Sequence, residues 1–236
     1  MARVLILGCS YTNGSYSFHA NGDEERCSNI AWHDTLPEEI TLYTGRGIGY
    51  IQWVDILETI DITQFDTVLL QESLEPKFQL LKDAHYITTT HATEFRPPLT
   101  RHELDKSSIV YSKGIKHRQI LQQMLGIEDS PDIDYIHSIG NNDSSLNIVK
   151  SCASYINAML HEAGIPTYII KSHEHVDFSK QHTHCKFLDM EPFFNIVGDD
   201  KSLVNTMSDG GQGHFTEKGS QLLAVHVADA WNRREK

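Results

Sequence analysis

Short apolar runs alternate with amphipathic stretches along much of the chain, and this alternation of predicted strands and helices is typical of a parallel α/β fold. The apolar run at residues 4–7 predicts a first strand, residues 39–44 are a short second strand candidate, and residues 66–71 predict a clearer third strand. Between the second and third runs, residues 50–60 place most of their apolar side chains on one helical face, which predicts a helix. Strands that alternate with helices are typical of a right-handed parallel sheet, so we expect an α/β domain.

The alternation of predicted strands and helices stops after the third strand. Residues 77–143 contain Pro97-Pro98 and Ser130-Pro131, many His and Thr residues, and one predicted helix at 115–125. This segment is too long to be an ordinary connection between two elements. We interpret it as an insertion over the edge of the sheet or over its active-site end, within a single domain of 236 residues.

The alternation of predicted helices and strands resumes at residue 145. A helix is predicted at 145–163, and Gly164-Ile165-Pro166 ends it, because glycine suits a helix C-terminus and proline prevents continuation. A fourth strand is predicted at 167–171. The chain closes with an amphipathic helix from residue 216 or 217 to residue 231.

Four further segments have weaker patterns. Residues 16–29 are polar and predict a loop that leads to a short helix around 30–36. Residues 188–194 and 203–204 are apolar pieces for which only weak structure is predicted.

Composition and charge narrow the possible partners. The net charge of -12 and the pI near 5.5 disfavour binding to nucleic acids and to anionic membranes. No apolar run approaches the roughly 18–20 residues of a membrane span, and no secretory leader pattern precedes the first strand. The four cysteines form no CxxC pair, which is typical of reduced thiols. We therefore expect a cytoplasmic protein without nucleic-acid or membrane partners.

The first candidate for chemistry follows the first strand, in Gly8-Cys9-Ser10. Ligands of open α/β sheets bind at the carboxyl ends of the strands, so Ser10 is a candidate nucleophile. The alternative is that Ser10 only caps the following turn or helix. Neighbouring side chains at a strand end alternate in direction, so Cys9 is predicted to be a buried packing residue.

A glycine-rich segment, Gly45-Arg46-Gly47-Ile48-Gly49, follows the second strand. It is not the GxGxxG motif of a dinucleotide site, and no acidic residue stands where a ribose partner is expected. Backbone N–H groups in such a loop suit a small oxyanion better.

A hydroxyl nucleophile needs a base, and His214 lies directly before the last predicted helix. A histidine near its ordinary pKa can take the proton of a serine, and Asp209 in the same segment could orient the imidazole. The alternative is that His214 is an ordinary polar loop residue.

Two motifs at opposite ends of the chain resemble the SGNH/GDSL hydrolase superfamily. The segment Gly8-Cys9-Ser10-Tyr11-Thr12-Asn13-Gly14 resembles its first block, and His214-Phe215-Thr216-Glu217-Lys218-Gly219 resembles its last block. The resemblance implies a flavodoxin-like three-layer α/β/α sandwich with a parallel sheet and a long insertion after strand three. It also implies an esterase or deacetylase without a cofactor, acting on a small ester with Ser10 as nucleophile and His214 as general base.

The same resemblance implies oxyanion donors. These are the backbone N–H groups of Ser10 and of a glycine in the 45–49 loop, for which Gly47 is our choice, and a third donor after strand three. Ser73 is our choice for the third donor, with Gln71 as the other candidate at that position. A literal Gly140-Asn141-Asn142-Asp143 occurs later and leaves Asn142 as an alternative, unless Asp143 or Ser144 only caps the next helix.

Two positions differ from the family pattern. The acid of the family stands three residues before the histidine, where this chain has Gly211. Asp209 or a backbone carbonyl would therefore orient His214. Glu72 lies between the two candidate donors Gln71 and Ser73, and its carboxylate would oppose an oxyanion if it pointed inward.

A second cluster of chemical groups is His173, His175, His182, His184 and Cys185. Imidazole and thiolate ligands suit zinc, but the spacing matches no structural zinc pattern, so we expect no metal. Two alternatives to the esterase remain open. One is a non-catalytic protein that binds a ligand or partner on the same fold, and the other is a metal-dependent hydrolase built on this cluster.

Overall fold

The computed structural model describes residues 1–9, 12, 16–18, 24–26, 31–44, 49–72, 77–82, 85–90, 109–111, 143–171, 178–203 and 215–234. Among these residues, five strands form one parallel sheet. They are β1 (Arg3–Gly8), β4 (Glu39–Thr44), β5 (Thr67–Gln71), β9 (Thr167–Ile170) and β10 (Lys186–Leu188), and their order across the sheet is β10-β9-β5-β1-β4.

The register sets which strand ends lie side by side. Ile6 of β1 pairs with Leu69 of β5, and Gln71 at the end of β5 pairs with Ile170 at the end of β9. The central strands end close to one another at the carboxyl edge, because all the pairings in this sheet are parallel. With the strands numbered along the chain, the order is 2-1-3-4-5, the flavodoxin-like order.

Apolar side chains of β1 alternate between two cores. Val4 and Ile6 pack in one core, and Leu5 and Leu7 pack in the other. A strand whose two faces are both buried reads as a continuous apolar run, which is why the sequence signal of β1 is strong.

Helices cover both faces of the sheet. One face packs against α1 (Tyr50–Thr59) and α2 (Asp143–Glu162). The other face packs against α3 (Glu191–Asp199), α4 (Glu217–Arg233) and a 3₁₀ helix at Trp32–Thr35. The result is a three-layer α/β/α sandwich, as predicted.

The helix α2 shows how the sequence pattern produces this packing. Its buried apolar residues are Val149, Ala153, Ile156 and Leu160, a spacing of three or four residues that keeps them on one face. The chain then turns at Gly164, whose φ of 69° lies in the left-handed region that favours glycine.

Two smaller sheets lie outside the main one. The strands β2 (Tyr16–Phe18) and β3 (Glu24–Arg26) pair antiparallel in a segment for which only a loop was predicted. The segment between β5 and α2 contains β6 (Lys77–Lys82), β7 (His85–Thr90) and β8 (Ile109–Tyr111), which form a three-stranded sheet. The helix predicted at 115–125 lies outside the described residues.

Other elements differ from prediction in detail. The short helix predicted around 30–36 is the 3₁₀ helix at Trp32–Thr35. The weakly patterned 188–194 segment contains the end of β10 and the start of α3. Only Leu188 of β10 is buried, so this edge strand lacks the continuous apolar run of a central strand. Within the described part of the chain, no helix combines the length and the apolar character needed to cross a bilayer.

Candidate functional site

The carboxyl ends of β1 and β5 form the topological switch point of the sheet. The chain leaves β1 toward β4 on one side and returns to β5 on the other side. Ligands of open α/β sheets bind in the crevice outside the carboxyl ends at such a point. The candidate site is therefore built from the segments that follow Gly8 and Gln71.

Thr12 joins these two strand ends. Its backbone N–H donates to the carbonyl of Cys9 at 2.9 Å, so the chain folds back directly after β1. The Thr12 side chain is fully buried, and its Oγ1 donates to Gln71 Oε1 at 2.5 Å. A Cβ on Gly8 would overlap the Thr12 side chain, which explains the glycine at the end of β1.

Gln71 also receives a hydrogen bond from the other side. Trp32 Nε1 donates to Gln71 Oε1 at 3.0 Å, and both side chains are buried. An indole N–H can only donate, so the Gln71 atom that faces it is the oxygen. One amide oxygen thus ties the segment after β1 and the 3₁₀ helix to the end of β5.

Ser10 itself lies outside the described residues, as do Gly47, Ser73, Asp209 and His214. The described residues beside Ser10 in the sequence are Cys9 and Thr12, which are both fully buried. Cys9 is buried, as predicted, but it packs in the core on the α4 face with Val4 and Ile6, whereas strict alternation along β1 would place it with Leu5 and Leu7. The chain turns directly after β1, where Thr12 N–H donates to the Cys9 carbonyl, so the alternation of the strand does not extend to Cys9.

The residues that follow His214 in the sequence are firmly anchored. Phe215 is buried and packs edge-to-face on Phe193 of α3. Thr216 caps α4 by accepting a hydrogen bond from Gly219 N at 3.2 Å, and its own N–H donates to the carbonyl of Leu203 at 2.9 Å. A Cβ on Gly219 would overlap the Leu203 carbonyl oxygen, so only glycine permits this close approach.

A second polar cluster, which sequence reasoning missed, lies just past the end of β5. Glu72 Oε1 accepts a hydrogen bond from the Tyr50 hydroxyl at 3.2 Å. The same hydroxyl lies 2.8 Å from His182 Nε2, and His182 Nε2 lies 3.8 Å from Glu72 Oε1. All three side chains are buried. We call Glu72, Tyr50 and His182 the buried triad.

The protonation states within the buried triad follow from burial and charge. Burial lowers the pKa of His182 from 6.5 to about 4, so its imidazole is neutral near pH 7. Burial, followed by the Glu72 carboxylate, raises the pKa of Tyr50 well above 10 and keeps the phenol protonated. The Tyr50 hydroxyl donates its only proton to Glu72, so its oxygen can only accept a hydrogen bond from His182. The neutral His182 imidazole therefore carries its proton on Nε2 and donates it to the Tyr50 oxygen.

Asn157 of α2 holds the turn that carries His182. Its Oδ1 accepts from the backbone N–H of His184 at 3.0 Å, and its Nδ2 donates to Thr183 Oγ1 at 3.3 Å. The Cys185 thiol also donates to Asn157 Oδ1, at 3.4 Å. Burial, with a smaller effect of Glu72, raises the pKa of Cys185 from 9.0 to about 11, which keeps it a thiol rather than a reactive thiolate.

The described histidines of the His173–Cys185 segment have separate partners. The ring of His182 faces Tyr50, whereas the ring of His184 stacks on His161 of α2 with centroids 3.7 Å apart. His173 and His175 lie outside the described residues. No group of three or more potential metal ligands lies together in the part of the chain that the structure describes.

The two candidate segments for the third oxyanion donor belong to different elements of the fold. Gln71 ends β5 at the switch point, beside the segment after β1. The Gly140-Asn141-Asn142-Asp143 segment instead runs into α2, whose first residue is Asp143. Asn142 lies outside the described residues. One oxygen of the Glu72 carboxylate, Oε1, accepts a hydrogen bond from Tyr50 within the buried triad.

No protein-family model and no curated protein matches the sequence. Among solved structures, a candidate SGNH hydrolase from Slackia heliotrinireducens is 13% identical, with 98% of each chain covered and a TM-score of 0.43. A candidate lipolytic protein of the G-D-S-L family from Desulfitobacterium hafniense is 8% identical, with 98% of this chain and 99% of that chain covered and a TM-score of 0.47.

The psychrotrophic esterase EstA from Pseudoalteromonas sp. is 10% identical, with 99% of this chain and 98% of that chain covered and a TM-score of 0.45. The chain is similar to these three solved structures over nearly its whole length. At these identities and TM-scores, the assignment of a function depends on the motifs and the sheet order of this chain itself. Its sheet order is the one that the SGNH resemblance of its two end motifs predicts.

Proposed function

We propose that the protein is a serine-dependent hydrolase of SGNH type that cleaves a small ester. The observation that carries the proposal is the hydrogen bond from Thr12 to Gln71, which ties the segment of the Ser10 motif to the end of β5 at the switch point. Ligands bind at this point of the fold, and a hydroxyl nucleophile is proposed there from the motif.

In the proposed reaction, Ser10 Oγ attacks the carbonyl carbon of the ester while His214 takes its proton. The tetrahedral oxyanion accepts hydrogen bonds from the N–H groups of Ser10 and Gly47, and from Ser73. The C–O bond to the alcohol then breaks, and His214 returns the proton to the leaving oxygen. Water hydrolyses the acyl-enzyme by the same steps, with His214 again as base. Asp209 orients the imidazole.

The experiment is labelling with a fluorophosphonate probe, together with hydrolysis of p-nitrophenyl acetate. Wild type is expected to take up one label per chain, and Ser10→Ala and His214→Ala are expected to lose label and hydrolysis. Removal of a catalytic serine or histidine leaves only a residual rate, so we expect a loss of more than about 10³-fold. A matched control is Ser151→Ala, which removes an exposed hydroxyl on α2 and is expected to label like wild type.

Two results would overturn the proposal. A well-folded wild type that takes no label and cleaves no short ester would instead favour a non-catalytic protein that binds a ligand on this fold. Hydrolysis that persists in Ser10→Ala and stops with a chelator would favour a metal-dependent hydrolase.

A further inference from the structure

The buried triad joins three segments that follow three different strands of the sheet. Tyr50 is the first residue of α1 and comes after β4, Glu72 comes directly after β5, and His182 lies in a turn after β9. Hydrogen bonds among Tyr50, Glu72 and His182 therefore hold three separate parts of the carboxyl edge together.

The geometry of the buried triad leaves each member little freedom. The exposed fractions are 4% for Tyr50, 3% for Glu72 and 2% for His182. A buried polar group that loses its partner is left desolvated without a compensating hydrogen bond, so each side chain restrains the others. The Tyr50 ring is also packed between Trp53 and Phe178, at centroid distances of 4.9 Å and 5.0 Å.

Two members of the buried triad lie close in sequence to the proposed oxyanion donors. Tyr50 follows Gly49, which caps α1 and ends the glycine segment that contains Gly47. Glu72 directly precedes Ser73. A displacement of either segment by a fraction of an ångström would misplace a donor, and catalytic rates are sensitive to such shifts.

We infer that Glu72, Tyr50 and His182 are positioning residues that hold the two oxyanion-donor segments in place for ester hydrolysis. This inference rests on the proposed function. Complete loss of one oxyanion donor lowers kcat by about 10²–10³-fold. Because a loosened segment misplaces a donor without removing it, we expect a loss of roughly 10–100-fold when the buried triad is broken.

The test is Tyr50→Phe, which removes the hydroxyl at the centre of the buried triad and keeps the packed ring. Its matched control is Tyr155→Phe, because the exposed Tyr155 hydroxyl on α2 donates to Glu58 Oε1 at 3.0 Å, a bond of the same chemistry far from the strand ends. Both variants are titrated to completion with the fluorophosphonate probe, and kcat and KM for p-nitrophenyl acetate are expressed per labelled site.

The expected result separates positioning from folding. Tyr50→Phe should still label about one site per chain, with KM within about twofold of wild type and kcat per labelled site lower by roughly 10–100-fold. A merely structural role would lower the number of labelled sites and leave kcat per site unchanged. Tyr155→Phe should match wild type in all three quantities.

A second pair of variants tests the acceptor and covers the case in which Tyr50→Phe does not fold. Glu72→Gln keeps an oxygen that can accept the Tyr50 proton, so it should retain kcat per labelled site within a few-fold. Glu72→Leu removes the acceptor and should lose as much as Tyr50→Phe.

Three outcomes would refute the inference. Full kcat per labelled site in both Tyr50→Phe and Glu72→Leu would refute positioning while leaving the esterase proposal intact. Equal losses in Glu72→Gln and Glu72→Leu would show that hydrogen-bond acceptance is not what Glu72 supplies. A folded wild type that neither labels nor hydrolyses would remove the proposed function, and the inference with it.

Discussion

His182 makes the stability of this protein depend on pH, and the variant His182→Gln isolates that dependence. The side chain is fully buried and its pKa is about 4, well below the ordinary value of 6.5. Between those two pH values the unfolded chain binds a proton at this residue that the folded protein does not bind. The free energy of unfolding therefore falls as the pH falls through 6.5, and this contribution levels off below about pH 4.

The magnitude follows from the two pKa values. One pKa unit corresponds to about 1.4 kcal/mol, and the full separation corresponds to roughly 3 kcal/mol. At pH 5.0, His182 of the unfolded chain is almost fully protonated and the folded residue is about one-tenth protonated, which gives a loss of about 2 kcal/mol. At pH 7.5 the contribution is close to zero.

The assay is urea unfolding followed by tryptophan fluorescence, at pH 7.5 and at pH 5.0. All three tryptophans are buried, so their emission reports global unfolding. In His182→Gln the glutamine amide can donate to the Tyr50 oxygen and does not titrate. Relative to wild type, the variant should therefore gain about 2 kcal/mol between pH 7.5 and pH 5.0. His161→Gln removes an exposed imidazole on α2 and is the matched control.

One result would refute this reasoning. If the difference between wild type and His182→Gln stayed constant, or if wild type became relatively more stable at pH 5.0, a protonated His182 would be forming an ion pair with Glu72, whose Oε1 lies 3.8 Å away. The buried triad would then hold a charged imidazole.

Two glycines test how the candidate site is built. Gly8→Ala places a methyl group against the Thr12 side chain, so we expect a loss of about 1–3 kcal/mol in urea unfolding and a loss of esterase activity. An unchanged urea midpoint would show that the turn after β1 has room for a side chain. Gly219→Ala meets the Leu203 carbonyl oxygen at the start of α4 and should lower Tm by several degrees. Ser220→Ala is the neighbouring control: its Oγ has no hydrogen-bond partner in the described part of the chain, so Tm should be unchanged or higher, and equal losses in both variants would refute the steric explanation.

Local patterns in the sequence were enough to predict the main elements. The second strand, Glu39–Thr44, has the predicted bounds, and α1 and α2 differ from prediction by one or two residues at their ends. The helices α1 and α2 have a clear period of 3.6 residues because each buries one face, and β1 is a continuous apolar run because both of its faces are buried. The strand Glu39–Thr44 lies at the edge of the sheet, and none of its residues is buried. The burial of Cys9 was predicted, but its place on the same face as Val4 and Ile6 departs from the alternation along β1. The short edge strand β10 buries one residue, and no such pattern was present.

The sequence by itself determined the α/β class, the bounds of the central elements and the motifs that resemble an esterase. Only the tertiary structure decided which polar groups meet at the carboxyl edge. Thr12 and Gln71 are 59 residues apart, and Tyr50 and His182 are 132 residues apart. The sequence did not indicate a partner for Glu72, and the fold places its Oε1 within hydrogen-bond distance of the Tyr50 hydroxyl. The physical reason is that periodicity reports only which face of an element is buried, whereas the partner of a buried polar side chain depends on the order and register of the strands.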